Sequence, residues 1–238
     1  MTLLSTRNLS RSFGGVRAVD GVDFDLPAGE IRAIIGPNGA GKTTFVTLVC
    51  GRIAPDRGEI SFDGREIGSL PAFRRVQLGI AYTFQITSIF KNLTAFENVA
   101  LAAQNGAKGV GNANSASART AAALHRVGLS ERSSAKAGEL PYGHQRLLEL
   151  AMALALSPKL LILDEPTQGL SDSEIADFCS LIKAISVDAT VLLIEHNMAV
   201  VMEVADRITV MNQGRILSEG APAEIIADAS VQQAYLGA

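Results

Sequence analysis

Gly36-Pro-Asn-Gly-Ala-Gly-Lys-Thr43 places three glycines, a lysine and a threonine within eight residues, spaced G-x-x-x-x-G-K-T. Glycines let successive backbone N–H groups turn inward as a nest for anionic oxygens, and a helix opening at the end of such a loop adds its positive end. In that chemistry Lys42 is a point charge for the β- and γ-phosphates of a nucleotide, and the Thr43 hydroxyl is a ligand for Mg²⁺. The pattern is that of a phosphate-binding loop. A glycine-rich structural turn is the plainer alternative.

A second constellation is Leu160-Leu-Ile-Leu-Asp164-Glu165, four apolar residues running into two acids. Strand ends in open α/β sheets face the ligand crevice. Asp164 is therefore expected near a Mg²⁺ ion, through water, and Glu165 is expected to act as general base on an attacking water. Acids after strands also serve as turn residues and helix caps. Their company in one chain with a phosphate loop favours the chemical role.

These residues need elements to position them. Ile31–Ile35 is a compact, mainly apolar run between Gly29 and Gly36 and reads as a buried strand; Lys42–Cys50 reads as a helix stopped by Gly51. Leu160–Leu163 and Val191–Ile194 are two more buried strands. Such runs alternating with helices predict a parallel sheet. Val22–Leu26 and Glu59–Asp63 alternate polar and apolar residues instead, which predicts antiparallel strands with one wet face. Thr94-Ala-Phe-Glu97 and Ser171-Asp-Ser-Glu174 are capping boxes, opening helices to about Gln104 and Ile185. Further helices are expected at about Ala118–Val127 and His144–Leu156. Asn105–Ser117, rich in Gly, Asn, Ser and Ala, predicts a flexible linker.

Composition narrows the function classes. The 238 residues are 47% hydrophobic and 19% charged, which fits a folded chain with an ample core. A net charge of −3 argues against nucleic acid as a partner. Two cysteines, Cys50 and Cys179, are too few for a secreted disulfide framework. The histidines 125, 144 and 196 do not fall at zinc-ligand spacing with a cysteine. The N-terminus does not read as a signal peptide, and no run reaches the roughly 18 apolar residues of a membrane span. A soluble chain is expected, free to dock on a membrane protein.

Further residues, in order along the chain, complete a set. Phe13 lies 23 residues before Gly36, Gln85 sits in Thr-Phe-Gln, and Leu140-Pro-Tyr-Gly-His-Gln145 precedes the acids. Gly169-Leu-Ser-Asp172 follows them, and His196 comes directly after a predicted strand. Alone, Phe13 could be core, Gln85 a surface amide and His196 a structural histidine. Together they resemble the ATP-binding subunits of ATP-binding-cassette (ABC) transporters over essentially the whole chain.

The resemblance implies an α/β fold: a P-loop NTPase core of ABC ATPase type with an N-terminal antiparallel β-layer and a helical subdomain. As one domain spanning 1–238, it would divide into a core of 1–85 and 157–238 and a helical subdomain of 86–156. It implies ATP and Mg²⁺ as cofactors. Phe13 would stack on adenine, and Gly36, Pro37, Asn38, Gly39, Ala40, Gly41, Lys42, Thr43 and Thr44 would hold the nucleotide. Thr43, Gln85 and Asp164 would serve the metal, with Glu165, His196 and Lys42 catalytic and His196 at the γ-phosphate. Tyr142, Gly143, His144 and Gln145 would form the signature that meets a partner's ATP, and Ser171 and Asp172 the D-loop.

The resemblance further implies a homodimer or a heterodimer with a second ABC ATPase. Integral membrane subunits and, indirectly, a solute-binding protein would complete the assembly, with the chain peripheral on the inner, cytoplasmic face of the cell membrane. Ile86, Ile89, Phe90 and Leu93 are candidates for the docking groove, with core packing as the alternative. Thr83-Phe-Gln-Ile, Phe90-Lys-Asn-Leu-Thr94, Tyr142 and the ending Tyr235-Leu-Gly resemble the ATPases of branched-chain amino-acid importers and their amide and urea relatives. A solitary ABC ATPase of an assembly pathway is the alternative. A switch GTPase ranks lower, because N-K-x-D is absent. The signature departs from the family's L-S-G-G-Q: Pro141 stands at the serine position, where it offers no hydroxyl to phosphate and no cap to the helix.

Overall fold

The computed structural model describes residues 1–83, 88–104 and 113–236. The chain begins with β1 (Thr2–Phe13), β2 (Val16–Pro27) and β3 (Ile31–Ile35), then α1 (Lys42–Val49), β4 (Arg57–Phe62) and β5 (Arg65–Glu66). It continues through α2 (Ala72–Leu78), β6 (Ile80–Thr83), α3 (Ala95–Gln104), α4 (Ala113–Arg126) and α5 (Tyr142–Ala155). The remainder is β7 (Leu160–Asp164), α6 (Asp172–Ser186), β8 (Thr190–Ile194), α7 (Met198–Val204), β9 (Arg207–Asn212), β10 (Arg215–Gly220), α8 (Pro222–Ala227) and α9 (Ala229–Leu236).

Two sheets organise these elements. An antiparallel layer runs β2-β1-β4-β5, and a six-stranded sheet runs β10-β9-β3-β8-β7-β6. In the second sheet all pairs are parallel except β9 with β10. Its central strands are buried on both faces and mostly apolar; the charged exception inside β3, Arg32, is 4% exposed and paired with Glu30 and Glu219. Leu160 and Ile162 of β7 join the core that α1 and the antiparallel layer share, whereas Leu161 and Leu163 join the core under α5 and α6.

Register decides where the chemistry falls. Ile34 of β3 pairs with Ile194 of β8, and Ile194 pairs with Asp164 of β7. One row of residues therefore crosses three strands. The loop after β3, the acids at the end of β7 and the turn after β8 open at the same, C-terminal end of these parallel strands, although far apart in sequence.

Both capping boxes form. Thr94 Oγ1 accepts from Glu97 N–H, and Glu97 accepts from Thr94 N–H; Ser171 and Glu174 do the same at α6. The linker expectation is corrected over 113–117. Those residues belong to α4, while 105–112 lie outside the described residues. Packing overrides composition there: Ala116 packs against the core under α5, and the buried Thr120 donates its hydroxyl to Ala116 O. Helix α5 begins at Tyr142, two residues before its expected start.

Candidate functional site

The Gly36–Thr43 loop leaves β3 and opens α1. Two of its glycines are sterically obligatory. A Cβ on Gly36 would lie 2.1 Å from Met211 O, and one on Gly41 would lie 2.2 Å from Ala18 O. Gly41 also has φ of 98°, in the left-handed region that glycine adopts without strain. Strand β2 and the β9–β10 turn thus press on the loop from outside, and Gly214 N–H donates to Ala40 O. From behind, Arg75 of α2 donates to Leu48 O and Val49 O at the C-terminal end of α1 and fixes that helix.

The first turn of α1 has no side-chain cap and no acid. Its N–H groups and the positive helix end are left for an anion, so the loop fits a phosphate group. The Lys42 ammonium donates to Gly36 O (2.6 Å) and Pro37 O (3.1 Å), lying across the loop. Burial pushes its pKa down, while the charges of Glu165 and Asp164 push it back up. Lys42, Asp164 and Glu165 thus share one electrostatic environment, as the row across β3, β8 and β7 requires.

Asp164 is 2% exposed, and its Oδ2 accepts a 2.8 Å hydrogen bond from the Tyr82 hydroxyl. Burial raises the Asp164 pKa, and the bond from Tyr82 opposes that shift. Burial and the neighbouring Asp164 charge both raise the Tyr82 pKa, so the phenol stays a donor. Glu165 follows with φ of 48°, a left-handed conformation that costs a non-glycine residue on the order of 1 kcal/mol. Its N–H donates to Ile194 O, and its Oε1 lies 3.9 Å from His196 Nδ1. His196 is mostly exposed and Glu165 mostly covered.

A divalent cation also fits. Among the described residues no three His, Cys, Asp or Glu side chains cluster as metal ligands. A cation here would rely on the Thr43 hydroxyl, the Asp164 carboxylate, phosphate oxygens and water, which is the donor set Mg²⁺ accepts. Gln85, expected in this role, lies outside the described residues.

The other expected residues occupy two further places. Phe13 ends β1 with 47% of its surface exposed, and the Arg11 guanidinium stands over its ring at 5.0 Å. Arg11 is itself paired with Asp56. Pro141 is the N-cap of α5, with no side-chain cap bond, and Tyr142, Gly143, His144 and Gln145 form the helix's first turn. Gln145 Nε2 donates to Leu140 O. This turn packs on the start of α6 in the same chain. A Cβ on Gly143 would lie 2.2 Å from Glu174 Oε1, and one on Gly169 would lie 3.0 Å from the Tyr142 ring. Ser171 is spent as the α6 cap, and Asp172 is the first residue of that helix.

Sequence reasoning missed Tyr82, Thr167 and Glu195. Glu195 had a signal: Val191-Leu-Leu-Ile-Glu195 repeats the four-apolar-then-acid pattern of Leu160–Asp164. Tyr82 had only its place three residues before Gln85, and Thr167 had none.

Known proteins share this fold and family over nearly the whole chain. The family model described as ABC transporter matches residues 19–168, and one described as branched-chain amino acid ATP-binding cassette transporter matches residues 215–238. A curated relative from Pseudomonas aeruginosa, the high-affinity branched-chain amino acid transport ATP-binding protein BraF, is 38% identical, covering 99% of this chain and 98% of its own. A nucleotide-free ATP-binding cassette from an ABC transporter superposes with a TM-score of 0.91 at 28% identity, covering all of both chains. An ADP conformation of such a cassette superposes with a TM-score of 0.89, also at 28% identity and full coverage.

Proposed function

This chain belongs to the ABC transporter family as an ATP-binding subunit, and we propose that it drives import of branched-chain amino acids, or related amides and urea, through separate membrane subunits. The ATPase reading is carried by the row Ile34–Ile194–Asp164, which opens the phosphate loop, the acid pair and His196 at one end of the strands. The solute class rests on the branched-chain cassette match over 215–238 and on the full-length likeness to BraF.

Gly36 through Thr44 hold the phosphates, and Phe13 covers the adenine. Thr43, Asp164 and Gln85 would hold Mg²⁺, which would supply positive charge against the phosphates. Glu165 accepts the proton of a water that adds to the γ-phosphorus as the bond to the bridging oxygen breaks. Lys42 and the loop N–H groups hold the charge that collects on the departing oxygens. His196 orients the γ-phosphate beside Glu165.

The signature residues Tyr142, Gly143, His144 and Gln145 serve the ATP of a second subunit, either a copy or a related ATPase, and Ser171 and Asp172 lie on that interface. Residues 86–156 act as the helical subdomain. Its exposed Phe90, with the partly covered Ile89 and Leu93, offers an apolar patch to a membrane subunit; Ile86 lies outside the described residues. No helix among the described residues is long and apolar enough to cross a membrane, so docking of this kind would hold the chain on the inner face of the cell membrane.

The test is reconstitution of the full chain with the membrane subunits encoded beside it. ATP-dependent uptake of labelled leucine into proteoliposomes, lost in Lys42→Ala, is the expected result. Hydrolysis of ATP without association with any membrane subunit overturns the transport reading. Uptake of a solute outside these classes overturns the solute alone.

A further inference from the structure

Glu195 is 1% exposed, and among the described residues it makes no ion pair with lysine or arginine. Its two oxygens are instead divided between two segments. Oε1 accepts from the Thr167 N–H (3.1 Å) and the Thr167 hydroxyl (2.5 Å). Oε2 accepts from the His196 N–H (3.0 Å) and the Asn197 N–H (3.2 Å). A buried carboxylate that spends four acceptor positions in this way fixes both segments at once.

The two segments are those that carry Glu165 and His196. Glu165, in its left-handed conformation, is tied on one side by its own N–H to Ile194 O. Two residues later the chain is tied again, to the neighbouring residue of the same strand end, Glu195. The strained residue is thus bracketed between two anchors on adjacent residues, and the second anchor also holds the backbone of His196.

We propose that Glu195 is a positioning residue for hydrolysis: it acts through Thr167 and the His196 backbone to hold Glu165 and His196 at their working separation. The inference rests on the roles given above to Glu165 and His196.

Thr167→Val keeps the volume of the side chain and removes one donor; Thr167→Ser keeps the hydroxyl. Glu195→Gln sets an amide N–H against N–H donors on one side of the clamp, whichever way the amide turns. Single-turnover hydrolysis and ATP affinity are measured on the full chain, with Glu165→Gln alongside. Amide hydrogen exchange at 167, 196 and 197 is followed without nucleotide. Misplacing a catalytic group by a fraction of an ångström costs roughly tenfold to a hundredfold in rate.

The expected result is that loss for Thr167→Val and Glu195→Gln, with ATP affinity within twofold of wild type. Thr167→Ser should restore the rate, and exchange should quicken at both segments in Glu195→Gln. If Glu195→Gln does not fold, the valine and serine pair still decides. A lowered melting temperature with unchanged turnover per folded chain makes Glu195 merely structural and overturns the proposal. So does an equal fall in rate and affinity. Normal turnover in Glu165→Gln would instead overturn the role of Glu165 on which the inference rests.

Discussion

The Tyr82 hydroxyl donates to Asp164 Oδ2 at 2.8 Å, reaching diagonally across the β6–β7 pair, in which Tyr82 itself faces Ile162. The bond leaves Asp164 Oδ1 as the freer oxygen. Tyr82→Phe removes the hydroxyl and leaves the ring. A hydrogen bond to a charged group is worth about 1.5–3 kcal/mol. Half-saturating Mg²⁺ for hydrolysis should rise severalfold, with nucleotide affinity in the absence of metal unchanged. Mn²⁺ titration followed by electron paramagnetic resonance, with a non-hydrolysable nucleotide, checks the metal directly; an unaltered titration rejects the role.

Glu165→Gln keeps shape and reach but cannot take a proton, and it removes one negative charge beside the Lys42 ammonium and the γ-phosphate. Turnover should fall about 10²–10⁴-fold, while Mg²⁺-ATP binds more tightly than to wild type. Single-turnover rates and ATP affinity, measured together, decide this. Near-wild-type turnover would shift the role toward His196 or Gln85.

Phe13 carries its ring under the Arg11 guanidinium at the end of β1. Stacking of a base on such a ring is worth about 1–3 kcal/mol. Phe13→Ala should weaken ATP binding by that amount and leave the melting temperature near wild type, since the residue is half exposed. An ATP dissociation constant that does not move would remove Phe13 from the adenine site.

Pro141 caps α5 at φ −53° and ψ 154°, angles a serine adopts freely. Pro141→Ser adds an N-cap worth about 1 kcal/mol. It also returns about 0.4–1 kcal/mol of freedom to the unfolded chain. The two nearly cancel, so the melting temperature should stay within a few degrees. The hydroxyl should nonetheless lengthen the life of an ATP-bound dimer. A dimer lifetime that is unchanged, in a wild-type homodimer already cooperative, would show that the proline costs the composite site nothing.

Asp228 accepts from the Ser230 hydroxyl and N–H and from the Ser218 hydroxyl, which ties the start of α9 to β10. These bonds lower its pKa to about 2 from 3.8. The folded value lies below the unfolded one, so the stabilisation is present above pH about 4 and is lost as pH falls toward 2. Pepsin digestion across that range should release the C-terminal segment of wild type progressively. In Asp228→Ala the segment should be cleaved faster than in wild type at pH 4, and the two should converge toward pH 2. A wild-type segment equally resistant at pH 4 and pH 2 would contradict the linkage.

The phosphate loop, the acid pair and both capping boxes were readable from sequence because each is local. Glycine spacing sets a nest, and a cap needs only residues i and i+3. The buried strands β3, β7 and β8 were readable for a related reason: a strand covered on both faces is mostly apolar, and Arg32 of β3 departs from that only because Glu30 and Glu219 pair with it. The resemblance to the ABC family rested on the order of these motifs. Strand β6 escaped notice because Ile80–Thr83 has no such unbroken run.

Tertiary structure alone decided the rest. The row Ile34–Ile194–Asp164 is a register, fixed by pairing three strands from distant parts of the chain, and no local pattern encodes it. Tyr82 reaches Asp164 across 82 residues and Glu195 reaches Thr167 across 28. A tyrosine or a glutamate in sequence says nothing of the partner it will meet. Helix α4 begins at Ala113, and Ala116 packs against the core and accepts from the Thr120 hydroxyl, which outweighs a composition that reads as linker. Where free energy comes from a neighbour close in sequence, residue type and spacing suffice; where it comes from packing and pairing at long range, only the folded chain holds the answer.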